Sequence, residues 1–139
     1  MIANSIEILT YIPQRPPMVM VDSLMEATEK RIVSRFTVQK ENVFLEENVL
    51  KEAGIIENIA QTAAAGVGYK QVTQKLPVKL GFIAAIKNLK IYSLPEINSQ
   101  LETIVEVVNE VMEVTIVQGT VMESGIKIAE CELRIFINS

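Results

Sequence analysis

A chain of 139 residues, 49% hydrophobic and 22% charged, is sized and composed as one globular domain spanning 1–139. Its net charge of −4 and its few aromatic residues, none of them Trp, exclude the basic face and stacking platform of a nucleic-acid binder. No apolar run reaches the ~20 residues of a bilayer span. Met1 to Glu7 carries no basic stretch or cleavage site, so a cytoplasmic protein without membrane contact is expected.

Taken in chain order, the first strand is predicted over Met18 to Met25, apolar and β-prone behind a Pro16-Pro17 pair that cannot sit inside a central strand. Arg31 to Val38 alternates and reads as a second strand, reached through the polar stretch Glu26 to Lys30. From Val49 to about Lys70 the period changes. Ile56, Ala60, Ala63, Ala64 and Val67 recur at helical spacing and predict the buried stripe of a long helix. That helix is rich in Ala and Gly, and each glycine costs up to ~1 kcal/mol of helix stability, so it suits a position wrapped by a sheet. Strands follow over Val78 to Tyr92, Leu101 to Met112, Val114 to Met122 and Ile126 to Ile137, with a tight turn at Ser124-Gly125. The alternation slips between Ile128 and Ala129, the mark of a bulge. The predicted class is α+β, one long central helix wrapped by an antiparallel sheet whose exposed edge favours dimerisation by strand pairing.

The chemical inventory is narrow. The sequence contains no histidine and a single cysteine, Cys131, in an alternating strand where a small buried thiol is expected. Without imidazole, and with one thiolate and no Asp-rich loop, neither a metal nor another cofactor is expected. A nucleophilic cysteine lacks its usual base.

Three segments carry a resemblance. Ile12-Pro13-Gln14-Arg15-Pro16-Pro17-Met18-Val19-Met20-Val21-Asp22 is similar to the N-terminal Leu-Pro-His-Arg-x-Pro-(apolar)-Asp signature of beta-hydroxyacyl-acyl-carrier-protein dehydratases. Gly54-Ile55-Ile56-Glu57-Asn58-Ile59-Ala60-Gln61-Thr62-Ala63-Ala64 resembles their central-helix signature, and Leu80 to Ile91 resembles the strand that follows. The resemblance implies a hot-dog fold and an acyl-thioester tunnel beside the helix. It implies a lyase-type reaction on a 3-hydroxyacyl thioester, of fatty-acid or aryl-polyene type biosynthesis, carried by acyl carrier protein or coenzyme A.

In that family a loop histidine takes the α-proton and a helix carboxylate handles the departing hydroxyl. Glu57 matches the carboxylate. The histidine's loop is replaced by Glu41 to Glu52, which puts Val43 at or beside the histidine's place, and Gln14 stands where the N-terminal signature carries its histidine. The expected site is therefore Glu57 as the catalytic acid, with Gln14, Gln61, Val43 and the helix-start residues Ala53 and Gly54 around the thioester. Each has a plainer reading: Glu57 as a solvated helix residue, Gln61 as a bridge between backbone groups, Arg15 and Asp22 as pins of the N-terminal segment.

Three functions compete. The chain is a dehydratase with a substitute base, or a hot-dog thioesterase in which Glu57 with Gln14 or Gln61 positions water, or a subunit that is not catalytic alone. The last follows from the family's sites, which combine the histidine of one subunit with the acid of the other. A homodimer, or a heterodimer with a histidine-bearing homologue, is expected. An acidic carrier protein would need a local basic patch, for which Arg15, Lys70, Lys75, Lys79, Lys87 and Lys90 are the candidates.

Overall fold

A computed structural model describes residues 1–76 and 81–137. After a short 3-10 helix at Glu7–Thr10, the strands are β1 (Ser23–Ala27), β2 (Arg31–Thr37), β3 (Leu45–Glu46), β4 (Val49–Leu50), β5 (Gly81–Ile91), β6 (Gln100–Val111), β7 (Val114–Glu123) and β8 (Ile126–Ile137). The helix α1 (Glu52–Thr73) lies between β4 and β5 in the chain. Six strands form one antiparallel sheet in the order β1-β2-β6-β7-β8-β5, and α1 packs against β1, β2, β6 and β7. This is the hot-dog fold that the sequence signatures imply.

The sheet side of the core is Leu24, Ile32, Phe36, Val105, Val117, Val121 and Leu133. The helix supplies Ile55, Ile59 and Ala63, and the N-terminal segment closes the end with Ile8, Ile12 and Met20. Two glycines mark close approaches between neighbouring elements. A Cβ on Gly68 would collide with the Tyr11 carbonyl, and one on Gly119 with Ile59. The aromatic ring of Tyr11 meets that of Tyr69 edge-on, at a centroid distance of 5.4 Å, beside the first of these contacts.

Three local features differ from the sequence reading. The first strand begins at Ser23 rather than Met18, because Met18 and Met20 bond to side chains of α1 instead of to a neighbouring strand. The helix is shifted to Glu52–Thr73. Its most buried face runs through Ile55, Asn58, Ile59, Thr62 and Gly66, while Ile56, Ala60, Ala64 and Val67 lie half-buried on its flank. An Ala-rich helix is apolar nearly all round, so the stripe alone does not set its phase. Thirdly, the loop before the helix holds a hairpin, β3–β4, whose turn residues Glu47 and Asn48 have φ of 53° and 65°, the left-handed pair of a type I′ turn.

Other expectations are met. The Ser124-Gly125 turn has positive φ at both residues. Ile128 is the extra residue between the pairs Met122–Lys127 and Val121–Ala129, which places the bulge where the alternation slips. Cys131 is buried, and burial pushes its thiol up to about 11. The strand at the free edge beyond β8 is β5, which exposes Ile83, Ile86 and Leu89. Of the segment predicted as its start, Val78 to Leu80 lies outside the described residues. Among the described residues no helix is long and apolar enough to cross a membrane.

Candidate active site

Glu57 lies in the second turn of α1, half-buried, one helical turn before Gln61. The i, i+4 spacing puts the two side chains on one face, and the Gln61 Nε2 donates to Glu57 Oε2 at 2.9 Å. Gln61 itself is fully buried. Its Oε1 accepts the Met20 amide at 2.6 Å, and its Nε2 also donates to the Met18 carbonyl at 2.9 Å. Its polar groups are thus committed within the subunit.

Sequence reasoning passed over the residue next to the acid. Asn58 is fully buried and donates from Nδ2 to the Met20 carbonyl at 2.7 Å, while its Oδ1 accepts from the Thr103 hydroxyl on β6. Thr62, also buried, donates to the Asn58 carbonyl at 2.7 Å and meets Ser34 of β2. The signal for this network is in the spacing. Asn58 and Thr62 share the helical face of Ile55 and Ile59, and a polar residue on an apolar face is buried with its hydrogen bonds satisfied.

The remaining site candidates separate. Gly54 is buried under Leu50 and Phe44, with its amide bonded to the Lys51 carbonyl at 2.9 Å, whereas Ala53 is exposed in the first helical turn. Val43, expected at or beside the histidine's place, is about half exposed in a turn closed by the Asn42 side chain, whose Oδ1 takes the Phe44 amide at 2.8 Å. Asn42 also points its Nδ2 at the Met20 sulfur, 3.1 Å away. Gln14 precedes a turn in which Met18 donates to the Arg15 carbonyl at 2.9 Å. Its Oε1 is buried, with no hydrogen-bond partner among the described residues. Arg15 donates from Nη1 to the Ile12 and Gln14 carbonyls, at 2.9 and 2.7 Å, which pins the segment as the plainer reading expects. Asp22 accepts the Thr37 amide at 2.7 Å, and burial raises its carboxyl above the ordinary value against that bond's opposing effect.

Three of the lysines suggested as a basic patch have an acidic residue as neighbour. Lys70 pairs with Glu29 at 3.6 Å, Lys87 stands opposite Glu132, and Lys90 stands opposite Glu130. Lys79 lies outside the described residues. Among the described residues no cluster of His, Cys, Asp or Glu could hold a metal ion.

The chain that carries this helix carboxylate and its buried amide is matched by a family model described as ApeP-like, ApeP dehydratase, over residues 6–139. The chain belongs to the ApeP-like family. No curated protein matches it in sequence. Among solved structures, a chain of the dehydratase heterocomplex ApeI:P from Xenorhabdus doucetiae superposes with a TM-score of 0.87 at 17% identity, over 95% of this chain and 91% of that one. The HP0420 homologue from Helicobacter felis gives 0.72 at 14% identity, over 93% and 86%. A hypothetical thioesterase from Streptococcus pneumoniae TIGR4, solved with coenzyme A, gives 0.68 at 8% identity, over 84% and 85%. At these identities the structural likeness establishes a fold common to this ApeP-like chain, dehydratases and thioesterases.

Proposed function

We propose that this chain is the acid-bearing subunit of a dehydratase-type site acting on 3-hydroxyacyl thioesters of acyl carrier protein or coenzyme A. The carrying observation is Glu57, oriented by Gln61, in a chain with no histidine. The half that would take the α-proton is missing, and its place falls at or beside Val43. In the reaction a base from a second subunit removes the α-proton as the α–β double bond forms. Glu57 passes a proton to the β-hydroxyl, which leaves as water, and return of the abstracted proton from base to carboxylate resets the pair.

Two features support a partner. The edge strand β5 offers unpaired backbone and exposed Ile83, Ile86 and Leu89, and the similar ApeI:P structure is a heterocomplex. A histidine-bearing hot-dog homologue pairing at this edge would gain Glu57 for one site, while the site built on Val43 stayed silent. The half-buried flank Ile56, Ala60, Ala64 and Val67, on the same helix as Glu57, suits an acyl chain. The exposed Ala53 at the helix start suits the thioester oxygen.

The test is reconstitution. Each chain is purified alone and after co-expression with a histidine-bearing homologue, and hydration or dehydration of a 3-hydroxyacyl or enoyl pantetheine thioester is followed. Turnover that appears in the mixture and is lost with Glu57→Gln supports the proposal. A homodimer that ignores the homologue overturns it. Release of free thiol by this chain alone, abolished by Glu57→Ala, would assign thioesterase chemistry instead.

A further inference from the structure

The segment Met18 to Met20 is held on α1 by side-chain amides acting as a strand would. The Met20 peptide is gripped on both sides, its N–H by Gln61 Oε1 at 2.6 Å and its carbonyl by Asn58 Nδ2 at 2.7 Å. Met18 offers its carbonyl to Gln61 Nε2 at 2.9 Å. An amide N–H can meet only an acceptor, so the Gln61 oxygen has to face Met20. Its NH₂ group then has to face the Met18 carbonyl and Glu57. Turned by 180°, the same amide would set NH₂ against N–H, and its oxygen against a carbonyl and a carboxylate. Helical spacing brings Gln61 near Glu57, but the N-terminal segment decides which end of the amide the acid meets.

We propose that Gln61 is a positioning residue for Glu57, and that the Met18–Met20 segment, bound through Asn58 and Gln61, sets the direction of the carboxylate. The inference rests on the reading that Glu57 serves thioester chemistry. It assigns the N-terminal signature a task separate from that of Gln14: its backbone, rather than a side chain of the signature, reaches the site.

The test uses the reconstituted complex and the steady-state dehydration of a 3-hydroxyacyl pantetheine thioester. Gln61→Met removes the donor with little change of volume. Gln61→Glu keeps an acceptor for the Met20 amide but turns an oxygen toward Glu57, and stands in if the Met variant fails to fold. Both are expected to lower kcat by about a hundredfold, the scale of a misplaced catalytic group, with KM changed by less than about twofold. Thr62→Val cuts the same polar network one residue away without touching Glu57 or Gln61. It is expected to lower thermal stability and keep kcat. Gln61 variants whose kcat matches that of Thr62→Val would overturn the proposal while leaving the Glu57 reading intact, provided Glu57→Gln abolishes turnover. If Glu57→Gln turns over like the parent chain, the underlying reading fails instead.

Discussion

Ser34 donates its hydroxyl proton to Thr62 across the sheet–helix interface, over an oxygen–oxygen distance of 2.6 Å. The direction follows from Thr62, whose own proton is spent on the Asn58 carbonyl. Both residues are fully buried. Removing either alone strands a polar group, so Ser34→Ala and Thr62→Val are each expected to cost about 1–3 kcal/mol. The double variant should cost less than the two together. Urea unfolding of the four proteins of the cycle measures this, and strict additivity would show that the hydroxyls do not interact.

Gly66 and Gly68 should respond differently to alanine. A Cβ at Gly66 meets the side chain of Ile32, whereas at Gly68 it meets the backbone carbonyl of Tyr11. Alanine gains up to ~1 kcal/mol of helix propensity at either position, but overpacking costs about 1–3 kcal/mol and wins. Trimming Ile32 to Ala in the Gly66→Ala background should make the pair less destabilised than the sum of the singles. No side-chain trimming should rescue Gly68→Ala. Thermal denaturation of the paired variants decides it.

Gln14 carries a buried carbonyl oxygen that no described donor meets. Replacing such a group by an apolar one of similar shape is close to neutral or favourable. Gln14→Met is therefore expected to leave the isolated chain as stable, or to stabilise it by up to about 1 kcal/mol, read from the urea midpoint at unchanged m-value. A loss larger than this would mean the oxygen is satisfied in solution.

Asp22 gives a pH signature of defined sign. Burial, the larger influence, raises its carboxyl above the usual 3.8, and the Thr37 amide opposes this only in part. In the window above 3.8 and below the raised value the folded state holds a proton that the unfolded state has released, so this residue's contribution to stability falls as pH rises through that window. Asp22→Asn keeps an acceptor for Thr37 and removes the titration. Relative to the parent, the variant should gain stability as pH rises from below 3.8 toward neutral, measured by denaturant midpoints across that range. A difference independent of pH would contradict the burial effect.

What could be read from the sequence was whatever the local period encodes. The alternation of β8, the slip at Ile128 and the Ser124-Gly125 turn are written in neighbouring residues, and so is the i, i+4 relation of Glu57 and Gln61. The phase of α1 was not, because Ile56, Ala60 and Ala64 are as apolar as the residues that are buried. Asn58 escaped notice because one of its partners, Thr103, lies 45 residues away and only the fold brings them together. The β3–β4 hairpin has strands of two residues each, too short for any alternation to register.

That hairpin is anchored at three points: Leu50 donates to the Pro95 carbonyl at 2.8 Å, Val49 bridges Glu96, and Ile97 donates to the Asn48 carbonyl at 3.1 Å. A proline at position 50 would have no N–H to offer and would break the first of these anchors. A single Val43→His change would set an imidazole on a half-exposed turn that leads into this anchored hairpin. The hairpin thus fixes the backbone on which any group placed at position 43 would have to work.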